Sequence, residues 1–266
     1  MNNSYISINY WQLSAATGFI LVNMALSVAL KLGLGQSLGI AAVRMVLQLL
    51  LVGLVLEWVF TLQSPALVLS LTLLMTVIAG NAAVNRTKRR FRGIYLNSFI
   101  SILVSATLMI GLTVESIIQV EPWYSPQYII PMMGMVLGNA VTGTSLALDR
   151  FMEDLTSHRE QVEALLALGA TRWEAAHSTV IEALRTGMIP SINSMMVMGL
   201  VSLPGMMTGQ ILAGALPTDA VRYQIVIIFA ITAGTALAIL GAILLSFRAL
   251  FSPQHQLRLE RLHKTR

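Results

Sequence analysis

The amino-acid sequence predicts an all-α fold, a polytopic bundle of about seven transmembrane helices. Of its 266 residues, 56% are hydrophobic and only 11% are charged, whereas a soluble domain has roughly a quarter charged residues. The apolar residues also fall into runs of about 20, the length that a helix needs to cross a membrane. We therefore expect one membrane domain over residues 1–266, integral to the cell inner (plasma) membrane.

The seven predicted spans follow one another along the chain. Their bounds are residues 11–31, 38–60, 65–85, 94–114, 128–148, 188–213 and 223–246. The first span is the least apolar because it contains Asn23 and Ser27. Basic residues gather in the loop after the third span, in the loop after the fifth and in the tail, and such loops favour the cytoplasm. The N-terminus is thus predicted to lie outside and the C-terminus to be cytoplasmic.

Three features of the composition exclude other classes of protein. The net charge is +5, but the basic residues lie at the ends of apolar spans, as lipid contact requires, and do not indicate nucleic acid. Cysteine is absent, which excludes disulfides and thiolate metal sites. The sequence also lacks the phosphate-binding pattern G-x-x-x-x-G-K-[S/T]. We therefore expect no cofactor in this chain and no enzymatic activity of its own.

The longest polar connection, residues 149–187, is predicted to form two helices joined by a glycine turn. Glu163 and Ala164 are followed by Gly169 and Ala170, which resembles the signature by which membrane subunits of transporters dock on a separate ATPase. Thr171 and Glu174 also have the spacing of a capping box. The predicted coupling residues are Arg159, Glu160, Glu163, Ala164, Leu168, Gly169, Ala170 and Thr171. ATP and Mg²⁺ would then bind to the partner subunit. The alternative is an amphipathic helix lying on the membrane surface.

Residues within the spans are candidates for a transport pathway. Pro204 removes a backbone donor and Gly205 adds conformational freedom, and inside a membrane a loosened backbone survives only within protein or beside a watery cavity. The predicted pathway residues are Arg44, Gln48, Glu57, Asn139, Ser202, Pro204, Gly205, Met206 and Met207. Structural roles remain open: a kink at Pro204, snorkelling of Arg44 and Glu57, and for Asn139 a hydrogen bond between helices.

The fifteen methionines raise the question of a soft-metal site. They include the groups Met132, Met133 and Met135, then Met195, Met196 and Met198, then Met206 and Met207. Thioethers suit Cu(I) better than iron, but methionine also fills gaps in apolar packing, and from the sequence we prefer that interpretation. The metal ligands are unknown, because no cluster of His, Asp or Glu with metal-binding spacing lies within the spans.

Several segments together resemble one family. They are Gly199-Leu200-Val201-Ser202-Leu203-Pro204-Gly205-Met206-Met207-Thr208-Gly209, Tyr223-Gln224-Ile225, Gly134-Met135 with Gly138-Asn139-Ala140, Arg44 with Gln48 and Gly53, and Asn81-Ala82-Ala83. They are similar to the permease subunits of Fet-type iron exporters, which include permeases linked to aluminium tolerance. The resemblance implies a homodimeric membrane part, a separate ATP-binding cassette ATPase, and export of iron or another metal. The chain departs from the importer-type signature in one respect. In that signature a proline follows the glycine closely, whereas here the next proline after Gly169 is the distant Pro190.

Two other functions are compatible with the same sequence. The chain could be a secondary transporter or channel that works without ATP, in which residues 149–187 form a plain amphipathic loop. Alternatively, it could belong to an ATP-driven exporter whose cargo is a lipid or a small organic molecule. Association with an ATPase distinguishes the first alternative, and the chemistry of the pathway distinguishes the second.

Overall fold

The computed structural model describes residues 8–264, and most of them are helical. The α-helices are α1 (Tyr10–Ala29), α2 (Gly35–Leu62), α3 (Pro65–Asn85), α4 (Ile94–Gly111), α5 (Pro126–Ser157), α6 (Arg159–Ala167), α7 (Arg172–Val197), α8 (Gly205–Leu212) and α9 (Pro217–Leu250). A π-helical segment, Leu112–Ile118, extends α4, and Leu259–Arg261 form a 3-10 turn. The two short strands, β1 (Arg89–Arg90) and β2 (His263–Lys264), pair antiparallel. The predicted all-α fold is confirmed.

Six helices in the described part of the chain are long and apolar enough to cross a membrane. They are α1, α2, α3, α4 with its π-helical extension, α5 and α9. The predicted span over residues 188–213 is not a single helix, because α7 ends at Val197 and α8 begins only at Gly205. Residues 198–204, here called the break, are irregular. Proline disfavours helical geometry in the residue before it, so Pro204 marks the start of α8 and not a kink within one helix.

The chain divides into two compact units. The first contains α1 and α2 together with Leu212–Gly214. A hydrogen bond from the Leu34 N–H to the Ser27 hydroxyl, 3.0 Å long, fixes the turn between the two helices. Nearly all apolar side chains of α1 and α2 are exposed, as is expected of helices that face lipid.

The second unit contains the other helices, with α5 in contact with α3, α4, α6, α7 and α9. Helices α5 and α7 meet where two glycines face each other. A methyl group added at Gly187 would lie 2.8 Å from the Gly143 carbonyl oxygen and 2.9 Å from the Ala147 Cβ. The two backbones therefore approach as closely as glycine alone permits. Helix α7 runs through Pro190 without a break.

One end of the second unit gathers the basic segments. Strand β1, in the loop after α3, pairs with β2 in the tail (residues 251–264). The Lys88 N–H donates a hydrogen bond of 2.8 Å to Asp149 in α5. Beneath them lies a buried cluster that includes Phe151, Phe247 and Phe251. The segments predicted to share the cytoplasmic side are thus adjacent in the structure.

Candidate functional site

The residues predicted to couple to an ATPase form a helix, a tight turn and a second helix, here called the elbow (residues 159–174). At the end of α6 the Gly169 N–H donates to the Leu166 carbonyl at 3.1 Å, and the Ala170 N–H donates to the Leu165 carbonyl at 3.0 Å. This pair of hydrogen bonds is the Schellman motif, which requires a left-handed residue. Gly169 supplies it with φ = +93°. The predicted glycine turn is therefore confirmed.

The second helix of the elbow begins with the predicted capping box. The Glu174 carboxylate accepts hydrogen bonds of 2.7 Å from both the N–H and the hydroxyl of Thr171. In return, the Thr171 hydroxyl accepts from the Glu174 N–H at 3.3 Å. The hydrogen bonds from Thr171, first from its backbone and then from its side chain, lower the pKa of Glu174 below its ordinary value of 4.5. The carboxylate is thus ionised at neutral pH and fixes the start of α7.

The elbow has one anchored side and one free side. Val162 is 3% exposed and packs in the cluster with Phe151 and Leu155. Leu168, at the tip, is 85% exposed. The remaining predicted coupling residues lie on the accessible surface, with an ion pair of 2.8 Å between Arg159 and Glu163. The geometry therefore presents an apolar tip on a rigid support, a form suited to insertion into a groove on another protein.

The tail holds the start of α7 through contacts that the sequence did not predict. The Arg172 N–H donates to Nδ1 of His255 at 2.8 Å, and the Arg172 guanidinium donates to the Ser252 carbonyl at 3.3 Å. The same guanidinium lies 5.7 Å from the centre of the Phe247 ring, where a cation–π contact forms. These partners are some eighty residues apart in the chain, so no local pattern reveals them.

A cavity of about 450 Å³ lies beside the break, at the other end of α7. Its lining includes Gly199, Pro204 and Met207 from the segment predicted to form the pathway, and Gln224 from α9. Gly199 adopts φ = +86° and donates its N–H to the Ser202 carbonyl at 2.9 Å. The break therefore forms one wall of a cavity of the size that binds small ligands.

The other predicted pathway residues lie elsewhere. Of the candidates in the break and α8, Ser202, Gly205 and Met206 are not part of the cavity lining. Asn139 donates to the Met135 carbonyl at 2.9 Å, so its hydrogen bond stays within α5 and does not join two helices of this chain. Arg44, Gln48 and Glu57 are exposed on α2, in the first unit.

The side chains of His, Asp and Glu, which are harder metal ligands than thioethers, form no cluster in the described part of the chain. Within residues 8–264, no group of three or more His, Asp or Glu side chains is arranged to hold a metal ion. Gln224 lines the cavity but was not among the predicted pathway residues, although it lies in the Tyr223-Gln224-Ile225 segment. A glutamine in an apolar span was the available signal, since polar side chains in spans need partners.

Known proteins resemble the chain over most of its length. The family described as "Uncharacterised protein family (UPF0014)" matches residues 10–251. The chain is 37% identical to the UPF0014 membrane protein slr1647 of Synechocystis, over 97% of this chain and 99% of that protein. It is 33% identical to the probable iron export permease protein FetB of Escherichia coli, over 95% and 96%. It is 32% identical to the protein ALUMINUM SENSITIVE 3 of Arabidopsis thaliana, over 92% and 88%. No solved structure matches. The resemblance seen in the sequence is confirmed.

Proposed function

Because the chain belongs to the UPF0014 family of multi-pass membrane proteins, we propose that it is the permease subunit of an ATP-driven metal exporter. Iron is the first candidate cargo, since the E. coli relative is named a probable iron export permease. A separate ATP-binding cassette subunit would bind ATP and Mg²⁺ and hydrolyse the nucleotide. Two copies of this chain would form the membrane part.

The elbow is the observation that supports coupling to an ATPase. Its tip combines Leu168, which is 85% exposed, with Gly169, where an added Cβ atom would meet no other atom within 4 Å. An exposed leucine beside open space is available to a partner's groove. The capping box fixes the tip to the start of α7, and the contact between Arg172 and His255 holds that start against the tail. A force on the tip therefore acts directly on that helix.

Helix α7 connects the elbow to the cavity. It has 26 residues, which correspond to about 39 Å, and it places Met195 in the cavity lining. Closure of two ATPase subunits would push the elbow, and α7 would change the shape of the cavity at its other end. Such rigid-body gating is a common device in transporters.

The test of coupling uses a substitution at the tip with a matched control. Leu168→Asp should abolish co-purification with the co-expressed ATPase subunit, because it places a charge where an apolar contact is expected. It should leave folding unchanged, since Leu168 makes little contact within the chain. Gln254→Asp adds the same charge at an exposed position of the tail and should have no effect. Retained association of the Leu168→Asp variant would contradict docking through the elbow.

The test of cargo uses the reconstituted complex. Its ATPase activity should rise when a cargo metal is added, with Fe²⁺ as the first candidate and with other divalent ions and Ag⁺ as comparisons. Activity that needs the partner but ignores every metal would preserve coupling and reject metal as the cargo. If no ATPase subunit associates with the wild-type chain, the ATP-independent transporter becomes the better explanation.

A further inference from the structure

We propose that the cavity beside the break is a binding site for a soft monovalent cation, Cu(I) or Ag(I). The ligands would be the thioethers of Met195, Met198 and Met207, with the side-chain oxygen of Gln224. This inference rests on the proposed function only for the view that the bound cation is cargo, and it names a soft monovalent ion in place of Fe²⁺ as the ion that this cavity would bind. The binding itself can be measured without an ATPase, so the two ideas fail separately.

The three methionines come from three successive segments and line the same cavity. Met195 belongs to the last turn of α7, Met198 begins the break, and Met207 lies in α8. The left-handed Gly199 and the start of α8 at Gly205 turn the chain back, which brings Met207 to the cavity that Met195 and Met198 line. A methionine side chain has three rotatable bonds, and this freedom allows the sulfur atoms to approach a common ion.

One of these sulfur atoms is already held by its surroundings. The Thr232 hydroxyl of α9 donates a hydrogen bond of 3.3 Å to Sδ of Met195. This contact orients the thioether and leaves a second lone pair on the sulfur for a metal. Contacts of this kind position ligands in established metal sites.

Gln224 provides the independent observation. Its side chain is 6% exposed and lines the cavity. Its Oε1 atom is buried and accepts no hydrogen bond from the described residues. An unpaired carbonyl oxygen is unfavourable in an apolar environment, and a rotation of the side chain toward the cavity would let a bound cation satisfy it. The amide oxygen thus indicates an electropositive ligand at this place.

The chemistry of the lining selects the kind of cation. The side chains described as lining the cavity are uncharged, and most are apolar. The cost of removing an ion from water rises steeply with its charge, and neutral donors compensate a single charge better than a double one. Thioethers are soft ligands that prefer Cu(I). A monovalent soft ion therefore fits this lining better than Fe²⁺ does.

The experiment measures Ag⁺ binding to the purified full chain, in detergent and without ATPase, by competition with a chromophoric chelator. Ag⁺ is the probe because it does not change oxidation state, and Cu(I) under reducing conditions should reproduce the result. Met195→Leu and Met207→Leu conserve volume but remove a thioether, and each should weaken binding by more than roughly tenfold. The control is Met196→Leu, since Met196 neighbours Met195 but is 75% exposed and outside the lining.

Each outcome decides between the site and its alternatives. Weaker binding in Met195→Leu and Met207→Leu, with unchanged binding in Met196→Leu, would establish the site. An Ag⁺ affinity equal to that of the wild-type chain in all three variants would overturn it, because the ion would then bind to exposed methionines in general. Fe²⁺ binding as tight as Ag⁺ binding would overturn the soft character. Specific Ag⁺ binding in a chain that associates with no ATPase would uphold the site and refute the proposed function.

Discussion

Gly143 in α5 lies against both α9 and α7, with no room for a larger residue. At Gly143 the added methyl group of an alanine would lie 2.8 Å from the Thr235 methyl carbon, 2.9 Å from Cδ1 of Ile239 and 3.0 Å from the Gly187 carbonyl oxygen. Ordinary contacts of this kind are about 3.5–4.0 Å long. We predict that Gly143→Ala strains the packing of α5 against both α9 and α7, whereas Gly138→Ala in the same helix does not, because an added Cβ atom would meet no atom within 4 Å there.

The magnitude follows from two opposing effects. Replacing glycine by alanine inside a helix stabilises it by roughly 1 kcal/mol, and both variants gain this equally. Overpacking costs about 1–3 kcal/mol, and only Gly143→Ala incurs it. The two variants should therefore differ by about 1–3 kcal/mol in the free energy of unfolding. For a chain of this size, that difference corresponds to roughly 2–12 °C in Tm.

Thermal unfolding of the purified variants in one detergent is the assay. Gly138→Ala should unfold at or slightly above the wild-type temperature, and Gly143→Ala should unfold several degrees below Gly138→Ala. The pairing of two positions in α5 cancels the helix-propensity effect and isolates the close packing of Gly143 against α9 and α7. If both variants unfold at the same temperature, the close packing of α9 and α7 around Gly143 is refuted.

Three further predictions concern the elbow. Thr171→Ala should lower the free energy of unfolding by about 1 kcal/mol, measured as a lower Tm, whereas Thr171→Ser should retain the cap and the wild-type Tm. The pKa of Glu174 is lower in the folded chain than its ordinary 4.5, so the ionised carboxylate stabilises the fold fully above about pH 4.5, and this stabilisation is lost as the pH falls through the folded-state pKa. In Glu174→Gln the Tm should therefore fall less steeply with pH in this acid range. An acid slope identical to that of the wild type would contradict the capping role. His255→Ala should remove the acceptor for the Arg172 N–H and raise hydrogen exchange at that amide by roughly two- to tenfold, with unchanged exchange excluding the contact.

Local signals predicted the elbow correctly. The Schellman turn depends on Gly169, and the capping box on Thr171 and Glu174, all within a few residues of one another. Such motifs are determined by neighbours in the chain, so a sequence displays them directly. The positions of the six long apolar helices followed from length and hydropathy for the same reason.

Contacts between distant segments could not be predicted in this way. The sequence showed that Pro204 disturbs its span, but it did not reveal that the chain leaves the helix already after Val197. It also gave no sign that His255 meets Arg172 or that Gly143 meets Gly187. These depend on how whole helices pack, which local propensity does not determine. The cavity could not be predicted either, because its lining joins the break to Gln224 of α9.

Gly187, where α7 contacts Gly143 of α5, divides α7 into two segments of unequal length. From Trp173 to Gly187 the helix measures about 21 Å, and from Gly187 to Met196 about 13 Å. A rigid rod with its fulcrum at Gly187 reverses the direction of a stroke and shortens it in the ratio of these two lengths. A stroke of about 3 Å at Trp173 would thus move Met196 by roughly 2 Å the opposite way. If closure of the proposed ATPase moves the elbow, spin labels on these two residues should travel in opposite directions, the one nearer the elbow about one and a half times as far.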